Sequence, residues 1–290
     1  MKLLTIFNLT SAFLCCIFAM KQIIEIMKTK VIISILIISR LCLLTPTKGM
    51  SQEQLFRAHA AEIVPDMPAQ SCFLPTFAGF HFRNDFCMKE MMYADIVGVM
   101  NFRKNILFFC VNHYGYASYG DFKLSVGYGR NFGDRFAMTA RVFYLMSHAR
   151  GYPARHSLCA DFAFAYKVSP KLLFDAEVFN PFLLRYGIVG QDVIPLRFAL
   201  GCTYMPVRKL LLSLTMSKSL PGAWEVTGRF MTHPIAPLLL GADCSNNHLG
   251  IYIGLVYRKF VMSVQAAWHY RISVSPEIGG WWFDAPKQRL

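Results

Sequence analysis

The chain has 290 residues, 54% hydrophobic and only 16% charged, which excludes a disordered or low-complexity protein. Its 30 Lys and Arg against 17 Asp and Glu give a formal charge of +13. The basic residues are nevertheless scattered singly or in pairs between apolar neighbours, which argues against a nucleic-acid partner. Aromatic residues are abundant, with 25 Phe and 13 Tyr, and favour strands or a lipid boundary over a helical bundle.

Two apolar stretches open the chain, Leu3 to Met20 and Val31 to Leu44. The second has the anatomy of a secretory signal: Met27, then Lys28 and Lys30, then an apolar run from Val31 to Ile38. Gly49 and Ser51 stand where a signal peptidase needs small residues, so cleavage would leave Gln52 as the new terminus. Met27 is the expected true start. A hairpin of two membrane helices is the competing reading, and Arg40 inside so short a stretch disfavours it by roughly 2.5–3.5 kcal/mol. Residues 1–51 are thus read as a signal and targeting region, and 52–74 as a short segment before the first strand. Export implies an oxidising compartment, yet six of the nine cysteines follow the cleavage point with no metal-ligand spacing among them. Only Cys72 and Cys87 flank one expected hairpin, where a bridge is conceivable.

Beyond residue 75 no apolar run is long enough for a membrane helix. Period-two alternation recurs instead. Phe122, Leu124, Val126 and Tyr128 share one face, and so do Leu158, Ala160, Phe162, Phe164 and Tyr166. The same holds for Leu196 to Tyr204, Leu249 to Tyr257 and Phe260 to Tyr270, and none of these positions carries a charge. About fourteen such segments are expected between residues 75 and 284, with a tail at 285–290. Short turns follow the even segments, as at Asn131 to Asp134 and at Arg258-Lys259. Longer connections follow several odd ones, at Ser147 to His156, Asn180 to Val193 and Arg271 to Pro276. That asymmetry is the layout of a transmembrane antiparallel β-barrel in an outer membrane. A soluble sandwich or lipocalin-like barrel would also alternate, but fourteen strands enclose a lumen too wide for side chains to fill.

Tyr128, Tyr166, Tyr204 and Tyr257 each end an apolar face just before a short turn and are expected to form an aromatic girdle, with Tyr144 and Tyr270 supplying the opposite ring. In the last segment Gly279, Trp281 and Phe283 share a face and suggest the signal read by barrel-assembly machinery, although residues trail after it.

Several stretches carry a family resemblance. Tyr114 to Leu124, Gly127 to Phe136, Val178-Phe179-Asn180-Pro181, Ile194-Pro195-x-Arg197, and His269 with Ser275-Pro276 resemble exported barrels of Bacteroidetes. These are similar to the PorV/PorQ-type barrels of type IX secretion and, through them, to fatty-acid-transporter barrels. The resemblance implies fourteen strands, a luminal plug and an outer-membrane location in a Gram-negative bacterium. The family's Gly/Ala-rich, Asn-Pro-Ala-like plug sequence is missing from Glu53 to Gln70, so a reduced plug is expected.

No nucleophile elbow, phosphate loop, HExxH or EF-hand spacing occurs, and no enzyme activity, cofactor or metal is expected. Gly127-x-Gly129-x-x-x-Gly133 has no helix after it, and its glycines read as lumen and turn positions. His156-Ser157 is a poor catalytic pair, because neighbours on a strand point apart. Parity places Arg141, Asp161, Lys167, Asp175, Glu177, Arg197, Glu225, Arg229, Asp243, Arg258, Gln265, His269 and Arg271 on the luminal face. There they would brace the wall or line a solute path, since an Arg or Lys facing lipid costs roughly 2–4 kcal/mol at the midplane. The expected function is passive passage or binding of small hydrophobic solutes. The alternative is a docking barrel whose loops bind secretion-system proteins. Outer-membrane lipid and the assembly machinery are the other expected partners.

Overall fold

The computed structural model describes residues 52–63, 66–186, 193–235, 237–270 and 273–284. The expected signal region, the tail and Arg271 lie outside the described residues. Among the described residues fourteen strands follow one another: β1 (Phe77–Asn84), β2 (Met92–Phe102), β3 (Asn105–Tyr116), β4 (Tyr119–Phe132), β5 (Phe136–Ala149), β6 (Arg155–Ser169) and β7 (Leu172–Phe179). The second half comprises β8 (Leu196–Val207), β9 (Leu210–Leu220), β10 (Trp224–Thr232), β11 (Leu238–Ser245), β12 (His248–Tyr257), β13 (Phe260–His269) and β14 (Val274–Phe283). Each pairs antiparallel with its neighbours in sequence, and β1 pairs with β14, so the sheet closes without an edge. Closure satisfies the backbone groups within the wall, which a lipid-embedded sheet requires.

The two faces sort as the alternation demands. Val126, Phe162, Phe164, Leu200, Ile251, Ile253, Val264 and Trp268 are exposed on the outside, while Ser125, Ala163, Ala199, Tyr252, Ser263 and Ala267 are buried inside. Such a belt of exposed Phe, Leu, Ile and Val has no place on a water-soluble surface and matches a lipid-facing wall. Even-numbered strands run toward one rim, here the turn end, where connections are as short as Arg258-Lys259 between β12 and β13. The opposite, loop end holds residues 85–91, 150–154, 180–186 and 193–195. It also has two tight hairpins, at 117–118 and 246–247, where long loops were not needed.

Inside the barrel lies the segment before β1. It forms α1 (Gln52–Ile63) and a 3-10 turn, Pro68–Phe73. Leu55, Phe56, Ala58, Ala60 and Cys72 are buried against inward side chains near the turn end, among them Ile106, Leu173, Leu211, Leu239, Val261 and Trp281. The turn-end half of the lumen is therefore dry and apolar. The polar inward groups lie in the other half. The plug is short but not vestigial: its twelve-residue helix packs against β9, β10 and β14.

Wide side chains inside the wall face glycines on neighbouring strands. Arg141 lies over Gly127, Asp243 over Gly250, Asp175 over Gly201, and a Cβ at any of these glycines would collide with them. The glycines that alternate with large apolar residues in the sequence are thus seats for luminal side chains. Gly133, at φ +76°, is a turn residue that needs the left-handed region.

Candidate functional site: the lumen

The lumen has two polar regions above the dry layer. Against β5–β8 sits a closed ion network. Arg141 and Asp161 are register partners, with Nη2 to Oδ2 at 2.5 Å. The same Arg141 nitrogen reaches Glu177 at 3.1 Å, and Arg197 bonds the other Glu177 oxygen at 3.1 Å. Arg197 continues to Asp66 of the plug segment at 2.9 Å. Arg141, Asp161 and Glu177 are all buried, so the charges are affordable only because each oxygen finds a guanidinium. The Lys123 ammonium sits over the rings of Phe143 and Phe179 at 4.5 and 5.0 Å, in a cation–π geometry.

Against β8–β14, β1 and β2 lies a cavity of about 520 Å³. It reaches the loop end, where Asp85, Phe86, Asn247 and His248 border it, and is floored by His59, Asp66 and Met67 of the plug segment. Cross-strand register assembles its polar groups. His81 stands opposite Asp95 on β2, and its Nε2 lies 2.5 Å from Glu277 of β14. Tyr93 donates to Asp95 at 3.2 Å. His248 contacts Asp243 at 2.7 Å, and Gln265 donates to the other Asp243 oxygen at 2.9 Å. The His269 and His248 rings are 5.6 Å apart, and Ser275 reaches the former at 3.0 Å.

The plug is tied to the wall by polar contacts as well as by packing. Asn101 and Asn131 donate their amides to the Leu74 and Cys72 carbonyls, each at 2.8 Å. Gln70 donates to Asp175, and its amide is 3.4 Å from the Thr203 hydroxyl. Lys167 places its ammonium 4.3 Å above the Phe73 ring. Burial pushes the Cys72 thiol pKa up to about 12, and His59 is held neutral, its pKa down at about 3, by burial and by the Arg229 charge.

The residues singled out from the sequence thus fall into groups. Arg141, Asp161, Glu177 and Arg197 form the ion network, while Lys167 and Asp175 hold the plug. Glu225, Arg229, Asp243, Gln265 and His269 border the cavity. Arg258 is a correction: it occupies the turn after β12 at φ +52°, exposed, with its guanidinium over the Tyr257 ring at 5.4 Å. Alternation ends where the strand does, one residue before it. Cys72 and Cys87 are also corrected, because both are free thiols, one in the plug at the turn end and one at the loop end. Tyr128, Tyr166, Tyr204 and Tyr257 are exposed on the outer wall near the turn end, while Tyr144 and Tyr270 stand toward the loop end. Gly279, Trp281 and Phe283 face inward, so Ile278 and Trp282 are the outward residues of the last strand. Sequence reasoning missed His59, Asp66 and Gln70, which carry no strand pattern. It also missed His81, Asp95 and Glu277, although parity with Phe80, Ile96 and Ile278 would have placed them inside.

No described helix is long and apolar enough to cross a membrane, a statement that leaves strands untouched. Among the described residues no group of His, Cys, Asp and Glu has metal-ligand geometry. The fold is that of outer-membrane channels. The chain superposes on the CymD monoaromatic hydrocarbon channel with a TM-score of 0.57 at 7% identity, covering 77% of this chain and 93% of that one. The Pseudomonas putida toluene transporter TodX gives 0.57 at 7% identity, covering 76% and 93%. The Ralstonia pickettii toluene transporter TbuX gives 0.55 at 8%, covering 77% and 93%. No protein-family model and no curated protein sequence matches the chain.

Proposed function

We propose that this chain is an outer-membrane barrel of a Gram-negative bacterium for passive passage or binding of small hydrophobic solutes, without covalent chemistry. One observation carries the reading: a cavity of about 520 Å³ at the loop end lies directly above an apolar layer filled by the protein's own N-terminal segment. A solute entering from the loop side meets the cavity first. Movement of the plug would then offer it the apolar side chains of the turn-end half. The names of the superposing channels support the hydrophobic class of guest.

The test is uptake of radiolabelled toluene into proteoliposomes, compared with protein-free vesicles. Faster accumulation with intact barrel, abolished when Phe56 and Met67 are crosslinked as cysteines to the facing wall, is the expected result. An impermeable barrel that also fails to bind toluene in detergent would defeat the reading.

A second reading is favoured by the connection between β7 and β8. Phe182 and Leu183 there are 63% and 55% exposed, an apolar patch suited to docking another protein. The motif resemblance to PorV/PorQ-type barrels supports a secretion-system partner for it. Crosslinking from Phe182 to a secreted or membrane protein, with no solute uptake, would favour docking over passage.

A further inference from the structure

The cavity runs against the charge of the chain that builds it. The protein carries a formal +13, yet among the described residues six carboxylates, three arginines and no lysine border the cavity. Two of the arginines are already committed: Arg83 to Asp85 at 2.6 Å and Arg197 to Asp66 at 2.9 Å. Asp95 and Glu277 lie on opposite sides of the single imidazole of His81, at 3.8 and 2.5 Å, and Glu277 also stands opposite Arg83 in register, so one imidazole and one guanidinium serve the three carboxylates Asp85, Asp95 and Glu277. Glu225 is exposed at the cavity wall.

A second feature is independent of these acids. His59, on the plug helix, is 1% exposed and borders the cavity, and its Nδ1 has no hydrogen-bond partner among the described residues. Its Nε2 lies 3.5 Å from the Thr203 hydroxyl. A buried imidazole nitrogen left without a partner carries an uncompensated desolvation cost, so a guest that supplies an N–H is favoured there. Phe86 and Met67 on the same cavity give apolar surface for the body of such a guest.

Resting on the solute-uptake reading, we infer that the cavity selects small organic cations, an ammonium group on an aromatic or aliphatic body, over neutral and anionic molecules of the same size. The carboxylates of Asp95 and Glu277 supply the field, the free nitrogen of His59 supplies an acceptor, and the Phe86 ring receives the apolar part. An anion would face the unbalanced acids. A neutral hydrocarbon would gain the ring contact but nothing from the field of the acids.

Isothermal titration of the whole detergent-purified barrel with benzylammonium, benzyl alcohol, benzoate and toluene at pH 7.5 tests this. Benzylammonium should bind at least tenfold tighter than the other three, and the margin should narrow as salt is raised. The double variant Asp95→Asn/Glu277→Gln should lose that tenfold preference, read as the ratio of benzylammonium to benzyl alcohol affinity in the same protein. Heat-modifiable gel mobility verifies that the variant barrel is folded, and His59→Phe provides a second, uncharged route to weaken the ammonium alone. Equal binding of toluene and benzylammonium would overturn cation selection while leaving solute uptake standing. No binding by any of the four would overturn both.

Discussion

The indole of Trp281 on β14 lies against Gly79, its register partner on β1, and also covers Gly279 of its own strand. A Cβ at Gly79 would fall onto the ring, so the glycine is the seat that lets a tryptophan turn inward at the seam closing the barrel. Gly79→Val should therefore displace the indole and weaken the β1–β14 pairing. Trp281→Ala should cost about 3–5 kcal/mol of unfolding free energy, and Trp281→Phe much less. Urea titration of the barrel in lipid vesicles measures both.

The Arg141 guanidinium bonds two buried carboxylates, Asp161 and Glu177, the second of which it shares with Arg197. Arg141→Met keeps much of the volume and leaves those charges opposed to each other, so a loss of about 3–5 kcal/mol is expected. Replacing all three with apolar residues should recover most of it. The same vesicle titration distinguishes the two outcomes.

Docking of the plug should depend on pH through His59. Its pKa is about 3 when docked and 6.5 in its ordinary state. As pH falls below about 6.5 the released segment takes up a proton that the docked one refuses, so docking weakens by up to about tenfold per pH unit until roughly pH 3. Hydrogen exchange of residues 52–63, corrected for intrinsic rate, should accelerate from pH 7.5 to pH 5. His59→Gln should flatten that response.

Asn101 and Asn131 hold backbone carbonyls of the plug rather than side chains. The double variant Asn101→Ala/Asn131→Ala should loosen the segment by about 1–3 kcal/mol per site while the backbone pairing of β2 and β4 is kept. Single-channel recordings in planar bilayers should then register larger or more frequent conducting events than the unaltered protein.

Lipid-facing and lumen-facing wall positions should respond differently to the same charge. Ile253→Arg faces lipid near the middle of β12 and should cost roughly 2–4 kcal/mol. Thr215→Arg, bordering the cavity, should leave stability close to the unaltered value. Folding yield into vesicles at fixed urea compares them.

The wall was legible in the sequence because each strand sits between two uniform solvents, lipid outside and a polar or filled lumen inside. Phe162 and Asp161 could be assigned to faces by parity alone. Parity fails where the extended backbone ends, as at Arg258, and says nothing of α1, whose Leu55 and His59 answer to partners on distant strands. It also cannot tell which inward residues share a wall of the cavity. His81 and Glu277 are almost two hundred positions apart in sequence, and become neighbours only because the first strand pairs with the last.

That pairing has a consequence for assembly. Phe77 and Phe283 are register partners at the turn end, their rings 5.4 Å apart, and Asp284 donates a backbone hydrogen bond to Thr76. The stretch that fills the barrel joins the wall at this same junction, immediately before Phe77. Zipping the final hairpin onto the initial one thus walls in whatever has already been threaded through the gap. A maturation intermediate halted before that zipping should keep residues 52–74 open to protease, and become resistant in the same step that makes it heat-stable.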